Sequence, residues 1–426
     1  MPQGQPHTSS YYAATRNDHT VYPPLSGDTD TDVCVIGGGF TGVSTALTLA
    51  ERGYRVVLLE QHLISWGASG RNGGQVIGGM SGEKKLSQHW GGQRDEFMFK
   101  LGYRGHQLIA ERIDKYGIDC DFKRGYMDVA VKRRHLKDLR EWHDELSVQG
   151  LADELRLVDA DEVASILGTQ SYLGGLVNNR NGHLHPLNLC LGEARAAAQL
   201  GAQFHENSEV LDIQHGQRPR VVCDQGSVTA NFVVIAGNAY HRLEQRKLGG
   251  LLFPAGSYIL ATEPLSEGEA AEVNALDLAV CDMNNVLDYF RLSADRRMLF
   301  GGQCNYSGRE PADIAASMLP RLHRIYPQLR GKRIDYAWGG MMGIVVNRVP
   351  LLGRIAPNVL YSVGYSGHGV NMTHACGEAM ADAVAGTLET VDFFADVPHR
   401  PIPFGQWFGA QAVAAGMLYY RLRDLF

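Results

Sequence analysis

The residues best suited to chemistry form a glycine run near the start of the chain, followed by one acidic residue. The run Gly37–Gly42 reads GGGFTG and fits G-x-G-x-x-G, and Glu60 stands 18 residues after Gly42. In this pattern Gly37 permits a tight turn, Gly39 lets the backbone approach a pyrophosphate, and Gly42 allows close packing of a helix on a strand. Glu60 can accept hydrogen bonds from ribose hydroxyls. The run therefore predicts a dinucleotide site, the alternative being a glycine-rich turn without a ligand.

Two strands and a helix must hold this run in place. Val33–Ile36 is a short β-branched run, which is typical of a central parallel strand buried on both faces. Apolar residues then recur at helical spacing over Val43–Ala50, Gly53 suits the position after a helix end, and Tyr54–Glu60 is a second buried strand. The spacing predicts a βαβ unit that places the glycine run at the start of its helix.

A second glycine-rich segment, Gly67–Gln75 (GASGRNGGQ), follows the second strand after a few residues. FAD and NAD both use the first pattern, but a nicotinamide-dependent dehydrogenase would normally continue here with another helix of a doubly wound sheet. Backbone N–H groups of a glycine-rich loop can instead reach phosphates or a flat ring. The segment therefore favours a flavin over a nicotinamide.

With these segments the chain resembles the D-amino-acid-oxidase-like family of FAD-dependent oxidoreductases. The stretches that carry the resemblance are DVCVIGGGFTGVSTALTLAERGYRVVLLE, WGASGRNGGQ, CDMNNVLDYFRLSADRRMLFGG, GYSGHGVNMTH and AGMLYYRLRDL. The first is shared by many flavoproteins, the others are more specific, and together they span nearly the whole chain. The resemblance implies an FAD-dependent amine oxidoreductase, which oxidises a C–N bond to an imine that hydrolyses to an aldehyde or stays cyclic.

The resemblance also implies how FAD is held. Some members of the family tether the flavin through a Cys near the segment Trp338–Gly353, which has no Cys in this chain, so we expect non-covalent FAD. Val210, Ala236 and Gly237 match positions where relatives hold the adenine end with backbone groups, although Val210 also suits a plain core strand. The cofactor-binding residues that we predict are Gly37, Gly39, Phe40, Thr41, Gly42, Glu60, Gln61, Ala68, Ser69, Arg71, Asn72, Gly73, Gly74, Gln75, Val210, Ala236, Gly237, Gly343, Gly367, His368, Gly369 and Val370.

Three residues are predicted to be catalytic. Tyr365–Gly369 (YSGHG) precedes the last long predicted helix, whose positive N-terminus favours a reduced, anionic ring, and His368 would orient or tune that ring. Tyr289 and Arg291 would line a pocket for an aliphatic amine with a distant carboxylate. The alternatives are a structural His and an ordinary half-buried strand. Asn371 stands where α-amino-acid-oxidising relatives have a Lys that pairs with the substrate carboxylate.

The resemblance implies a gamma-glutamylated polyamine, such as gamma-glutamylputrescine, as the leading small-molecule amine substrate. L-pipecolate or another secondary or cyclic amino acid is the alternative. Oxygen, a quinone or a carrier would accept the electrons. Two rivals from other classes are a flavin-binding electron-transfer subunit of a larger dehydrogenase and a non-redox nucleotide-binding regulator.

Composition excludes several other classes. The chain has 426 residues and a net charge of −6, which makes nucleic acid a poor partner. It has no run of about 18 apolar residues and no signal-peptide pattern, so we expect no transmembrane segment and a cytoplasmic protein. The seven Cys form no CxxC pair, and His183 and His185 lack further ligands at a convincing spacing, so we expect reduced thiols and no metal.

The predicted fold is α/β or α+β, with a Rossmann-like FAD-binding domain and a discontinuous, antiparallel-sheet substrate domain. The FAD-binding domain takes residues 30–85, 183–245 and 340–395, and the substrate domain takes 86–182 and 246–339. An irregular lead-in occupies 1–29, and a C-terminal helical segment occupies 396–426. Residues 253–303 are predicted to be extended segments, followed by a helix over 310–325.

Overall fold

The computed structural model describes residues 4–305 and 310–402, which fold into two β-sheets with helices packed on them. The strands in these ranges are β1 (Gly27–Ile36), β2 (Val56–Leu59), β3 (Gln75–Val76), β4 (Lys123–Val129), β5 (Leu155–Asp159), β6 (Gly174–His183), β7 (Gln203–His205), β8 (Val210–Gln214), β9 (Arg220–Cys223), β10 (Gly226–Ile235), β11 (Leu252–Thr262), β12 (Ala279–Asp282), β13 (Asp288–Leu292), β14 (Met298–Asn305), β15 (Ile334–Val345), β16 (Leu351–Ala356) and β17 (Val359–Val363). The helices are α1 (Tyr11–Ala14), α2 (Phe40–Glu51), α3 (Glu83–Trp90), α4 (Asp95–Tyr116), α5 (Arg133–Leu146), α6 (Ala160–Leu167), α7 (Pro186–Gln199), α8 (Gln245–Leu248), α9 (Glu267–Val273), α10 (Ile314–Ile325), α11 (Val370–Val384) and α12 (Glu389–Ala395).

The first sheet contains the predicted βαβ unit. Its main strand order is β16-β17-β10-β1-β2-β7, in which β1 pairs in parallel with both β10 and β2. Val33–Ile36 and Val56–Leu59 are buried throughout, because helices α2, α7 and α11 cover one face and the segment around β8 and β9 packs on the other. The carboxyl ends of β1, β2 and β10 therefore meet at one edge of this sheet.

The second sheet is mixed and has two different faces. Its order is β15-β11-β14-β13-β12-β4-β6-β3, with β4 and β12 parallel and the other pairs antiparallel. Met127 and Val129 of β4 point into a core with α6, α9 and α10. Their neighbours Tyr126 and Asp128 point to the opposite face, as strand alternation requires, and line a cavity.

A buried polar network ties four helices together behind the first sheet. Glu193 of α7 pairs with Arg112 of α4 at 2.9 Å and with His374 of α11 at 3.1 Å. Arg112 also donates to the hydroxyls of Ser44 and Thr48 of α2, each at 2.8 Å. Since α2 and α11 both begin at the cavity, this network fixes the helices that shape its wall.

Two parts of the predicted secondary structure are wrong. The lead-in is not wholly irregular, because α1 forms behind the Ser10 cap and β1 already begins at Gly27. The extended segments over 253–303 are interrupted by α9, whose first turn is closed by a capping box between Ser266 and Glu269. The predicted helix over 310–325 forms but begins at Ile314.

The domain boundaries stay a prediction. Strand β15 of the second sheet crosses the boundary placed at residue 340, and β3 of the same sheet lies inside the segment 30–85. Of the predicted C-terminal helical segment, residues 396–402 contain no helix, and 403–426 lie outside the described residues.

No helix within residues 4–305 and 310–402 has the length and apolar character needed to cross a membrane. In the same ranges, no group of three His, Cys, Asp or Glu side chains could hold a metal ion. The cysteines found as buried free thiols are Cys34, Cys120, Cys190, Cys223, Cys281 and Cys376.

Candidate active site

A cavity of about 2080 Å³ lies between the carboxyl ends of β1, β2 and β10 and one face of the second sheet. A site for one small molecule usually has roughly 300–1,000 Å³, so this cavity can hold a dinucleotide and a second molecule. The structure brings most of the predicted site residues together in its wall. These are Gly37, Gly39, Phe40, Thr41, Glu60, Gln61, Ala68, Ser69, Arg71, Asn72, Gly73, Gln75, Val210, Ala236, Gly237, Tyr289, Gly343, Gly367, His368, Gly369 and Val370.

The glycine run turns tightly between β1 and α2. Gly37 has a φ of 109°, and a Cβ there would lie 2.8 Å from the backbone of Ala236. A Cβ on Gly42 would lie 1.9 Å from the carbonyl oxygen of Gly37, so α2 packs closely on the strand only because this position has no side chain. Gly42 is absent from the cavity wall and supports the site through this packing.

The start of α2 is open to the cavity. Gly39 is its N-cap residue, and a Cβ there would meet the Oγ of Ser69 at 2.9 Å. That Oγ accepts the N–H of Phe40 at 2.9 Å, so the loop after β2 lies over the first turn of the helix. Backbone donors and the positive end of the helix dipole at this point suit a pyrophosphate.

Glu60 follows β2 and is held by backbone groups. Its Oε2 accepts the N–H of Gly38 at 2.6 Å, and its Oε1 accepts the N–H of His62 at 2.8 Å. Burial raises the pKa of Glu60, while these backbone donors oppose the rise. Each oxygen keeps a further lone pair, so the carboxyl group is positioned to bind ribose hydroxyls.

Asn72 and Arg71 stabilise the second glycine-rich segment. Asn72 donates to the carbonyl oxygens of Ala68 and Ser69 at 3.1 and 2.8 Å, and its Oδ1 accepts the N–H of Gly74 at 2.8 Å. The guanidinium of Arg71 lies 4.2 Å from the ring centre of Trp66. These contacts close the loop on itself and turn its backbone towards the cavity.

His368 lies where α11 begins. Its Nε2 is 2.9 Å from the carbonyl oxygen of Gly78, which can only accept, so this nitrogen carries the proton. Burial lowers the pKa of His368, which keeps the imidazole neutral near pH 7. Nearby, Ser366 donates its N–H to Gly343 at 2.9 Å and so joins the start of α11 to β15. The start of α11, the residues around Gly78 and the end of β15, which we predicted to bind the flavin ring at Gly343 and Gly367–Val370, therefore form one continuous part of the cavity wall.

Tyr289 lines the cavity, and two glycines make room for its ring. A Cβ on Gly73 would lie 2.6 Å from the ring, and a Cβ on Gly301 would lie 2.1 Å from it. The ring thus connects the second glycine-rich segment to the second sheet.

Arg291 does not line the cavity, which corrects the prediction that it meets a substrate carboxylate. Its side chain is buried, 2% exposed, and donates to the carbonyl oxygens of Gly73, Leu184 and Leu292 at 2.8, 2.7 and 3.0 Å. It also donates to the hydroxyl of Tyr12 at 3.2 Å. Gly74 lies against the same group, because a Cβ there would be 2.8 Å from the Nη2 of Arg291. Both residues are structural supports of the loop.

Asn371 also faces away from the cavity. Its Oδ1 lies 2.9 Å from the Nδ1 of His106, and its amide donates to the carbonyl oxygen of Gly102. Both partners belong to α4, so the side chain holds α11 on α4. Asn371 therefore joins two helices and does not line the cavity.

Several cavity residues were missed by sequence reasoning. They lie mainly on the second sheet and on α4, and they are Tyr103, Tyr126, Asp128, Leu176, Asn178 and Cys281. The alternation of Tyr126 and Asp128 with Met127 and Val129 was the available signal, because it predicts two faces of different polarity.

Sequence comparison with known proteins also indicates an FAD-binding protein. The family model described as DAO, FAD dependent oxidoreductase, matches residues 32–383. Gamma-glutamylputrescine oxidoreductase of Escherichia coli (strain K12) is 40% identical over 421 residues, covering 98% of this chain and 98% of its own length.

Solved structures share the fold. Glycine oxidase from Bacillus cereus has a TM-score of 0.70 at 22% identity and covers 88% of this chain and 99% of its own. L-proline dehydrogenase from P. horikoshii has a TM-score of 0.72 at 22% identity, covering 87% of this chain and 97% of its own. At this identity the likeness establishes the fold alone.

Proposed function

This chain belongs to the DAO family of FAD-dependent oxidoreductases, and from that premise we propose that it oxidises the primary amine of a gamma-glutamylated polyamine such as gamma-glutamylputrescine. Relatives of this chain include a gamma-glutamylputrescine oxidoreductase, a D-amino acid dehydrogenase and glycine oxidases, whose substrates are amines or amino acids. The carbon beside the nitrogen loses a hydride, and the resulting imine hydrolyses to an aldehyde. The 40% identity to the Escherichia coli enzyme over nearly the whole chain supports the choice of substrate.

FAD, when bound, supplies the two-electron acceptor. In this proposal Glu60 binds the ribose, the open start of α2 binds the pyrophosphate, and Val210, Ala236 and Gly237 contact the adenine end. Asn72 holds the loop that includes Gly73 and Gln75 against the flavin ring. The described residues fit the cofactor, because the cradle at Gly39 would be filled by a Cβ and the helix start offers donors to an anion.

The start of α11 completes the ring site. Gly343, Gly367, Gly369 and Val370 contact the pyrimidine edge, where the positive end of the helix favours the added negative charge. His368 stays neutral and donates to the carbonyl oxygen of Gly78, which fixes the orientation of its imidazole in the wall that would hold the flavin ring. FAD is held without a covalent bond.

The proposal that the substrate is an amine depends on the side chains that the second sheet presents to the cavity. In the described part of this wall, Tyr126, Tyr289 and Asp128 present phenols and a carboxylate, and no Lys or Arg of the sheet lines the cavity. Aromatic faces and a carboxylate attract an alkylammonium group. A cationic amine therefore suits this wall better than an anionic end group does.

Anaerobic mixing of the holoenzyme with a panel of amines tests the proposal. Gamma-glutamylputrescine should bleach the yellow flavin faster than putrescine, sarcosine, glycine or L-pipecolate do. Putrescine is the matched control, because it has the same reacting amine without the glutamyl group. A clear preference for L-pipecolate would overturn the proposal in favour of a cyclic amino acid. Reoxidation of the reduced enzyme by oxygen and by a soluble quinone identifies the class of acceptor.

A further inference from the structure

Asp128 is a carboxyl group of the cavity wall that can attract the substrate ammonium group, and the reaction described so far gives it no part in moving a proton. It lies on β4, lines the cavity, and has one hydrogen bond from a side chain, from the hydroxyl of Tyr126 to its Oδ1 at 3.2 Å. Among the described residues, no Lys, Arg or His forms an ion pair with it. A carboxyl group withdrawn from water is normally paired, neutralised by a raised pKa, or functional, and a bound cation would supply the partner that this one lacks.

The register of the second sheet places Asp128 on the same face as Tyr289, two strands away. Asp128 pairs with Cys281 of β12, which pairs with Tyr289 of β13, which in turn pairs with Gly301 of β14. Paired residues point to the same face, and neighbouring strands are about 4.8 Å apart, so Asp128 stands two strands, roughly 10 Å, from Tyr289. The Tyr289 ring packs against Gly73 in the segment assigned to the flavin.

The chemistry of the amine supplies the missing cation. An alkylamine in water is protonated at neutral pH, as the usual pKa near 10.4 of a lysine amine illustrates. An ammonium nitrogen has no lone pair, so the carbon beside it cannot release a hydride until a proton leaves. A cavity that binds the protonated amine must therefore provide a way for that proton to leave before oxidation.

On the basis of the proposed function, we propose that Asp128 binds the substrate ammonium group and takes one proton from its nitrogen before hydride transfer. The N–H bond breaks and an O–H bond forms on Asp128. The C–H bond beside the neutral nitrogen then breaks with its electron pair, which passes to the flavin, and the nitrogen lone pair forms the C=N bond. Water later converts the protonated imine to an aldehyde and ammonium.

The surroundings of Asp128 suit this exchange. Burial raises the pKa of Asp128 to about 7, and the hydrogen bond from Tyr126 opposes the rise. The other titratable groups that interact with it are Tyr103 from α4 and Cys281 from β12, and burial raises the pKa of each, so both stay neutral. With a pKa of about 7, Asp128 is an anion at higher pH and can accept a proton from the ammonium group. The same raised pKa makes it a stronger base than an ordinary carboxylate.

The test compares Asp128→Asn with the wild-type holoenzyme in anaerobic flavin reduction across pH. The variant should bind FAD normally but reduce it roughly a hundredfold or more slowly at neutral pH, since general base catalysis is worth about that much. Its residual rate should rise with pH, because only amine that is already neutral reacts. Asp161→Asn makes the same change of charge on an exposed residue of α6 outside the cavity, and should behave as the wild type.

Tyr126→Phe provides an independent variant that keeps the carboxyl group. Loss of the hydrogen bond should raise the pKa of Asp128, so the rate of flavin reduction should reach its plateau at a higher pH than in the wild type. If Asp128→Asn fails to fold, the shift of the pH profile in Tyr126→Phe still supports the proposal. An unshifted pH profile in Tyr126→Phe overturns it. A wild-type rate and pH profile in Asp128→Asn overturns it directly.

Binding of tert-butylammonium tests the role of Asp128 independently of whether gamma-glutamylputrescine is the substrate. This cation has no hydrogen on the carbon beside its nitrogen, so it cannot be oxidised. Calorimetry should show binding to the wild type that is roughly ten- to a hundredfold weaker in Asp128→Asn. Equal affinity would overturn the role of Asp128. Failure of gamma-glutamylputrescine to reduce the wild-type flavin, with the cation still bound through Asp128, would instead overturn only the proposed function.

Discussion

Gly39 occupies the point where the backbone of the glycine run comes closest to the cavity. We predict that Gly39→Val abolishes FAD binding, because the branched side chain would fill the cradle and displace Ser69, whose Oγ lies 2.9 Å from the position of its Cβ. Gly216→Val is the matched control, since a Cβ there meets nothing within 4 Å. Flavin content after purification is the measurement, and full occupancy in Gly39→Val would place the pyrophosphate elsewhere.

Arg291 shows how a plausible binding residue can serve the fold instead. We predict that Arg291→Ala lowers the free energy of unfolding by more than about 3 kcal/mol, because several buried carbonyl oxygens lose their donor at once. The KM for the amine should change little in enzyme that remains folded. Urea denaturation and steady-state kinetics check the two halves, with Arg330→Ala as an exposed control. A selective rise in KM without loss of stability would restore the carboxylate-binding role.

The residue scale also shows what the sequence could predict. The roles of Gly37 and Gly42 follow from their spacing, because a short motif fixes local backbone geometry. One strand partner of Asp128 is Cys281, more than 150 residues away, and hydrogen-bond partners of Asn371 and Arg291 are at least as remote. Such contacts depend on the order of the strands in the sheet and on how the helices pack, which no local pattern contains.

At the scale of elements, four helices are held by one buried ionic network. Burial alone would raise the pKa of Glu193, but the charges and hydrogen bonds of His374 and Arg112 outweigh it and hold that pKa below its usual value. Glu193 therefore stabilises the fold above the unfolded pKa of about 4.3, and this stabilisation is lost as pH falls through the lower, folded pKa.

We predict that Glu193→Gln destabilises the protein by about 3–5 kcal/mol at neutral pH, because Arg112 and His374 lose a buried partner. Below about pH 4.3, the free energy of unfolding should also decrease less steeply with falling pH in the variant than in the wild type. Urea titrations at several pH values measure both effects. Glu272→Gln, at an exposed site, should match the wild type. An equal acid dependence in Glu193→Gln would show that other carboxylates dominate.

Some helices and strands are easier to predict from the sequence than others. The apolar runs Val33–Ile36 and Val56–Leu59 are confirmed as parts of β1 and β2, although β1 also includes the polar residues from Gly27 onward. Helix α9 is short, yet Ser266 and Glu269 form the spacing of a capping box, so its start was predictable from a signal that hydrophobic periodicity does not include. Helix α1 has only four residues, and its stability comes from burial of Tyr11 and Tyr12 rather than from local propensity.

At the scale of the whole molecule, the cavity joins the two sheets. One wall comes from the ends of β1, β2 and β10, and the other from β4, β12 and β13. A ligand that fills it contacts residues from both sheets, and no such contact exists in the unfolded chain. Bound FAD should therefore stabilise the folded protein as a whole rather than one lobe of it.

This shared cavity also bears on how the flavin is attached. The segment Trp338–Gly353 has no Cys, but Cys281 lines the opposite wall. Burial raises the pKa of Cys281 well above its usual value, so the thiol stays protonated and is a poor nucleophile towards the flavin. Both walls therefore favour FAD that dissociates.

We predict that acid precipitation leaves all of the flavin in the supernatant and that the apoprotein refolds with a lower free energy of unfolding. Addition of FAD at a hundred times its Kd should restore about 2.7 kcal/mol, because a ligand that binds only the folded state stabilises it by mass action. Absorbance of pellet and supernatant measures the first effect, and urea titrations with and without FAD measure the second. A yellow pellet would identify a covalent bond, and Cys281→Ser would then show whether that cysteine forms it.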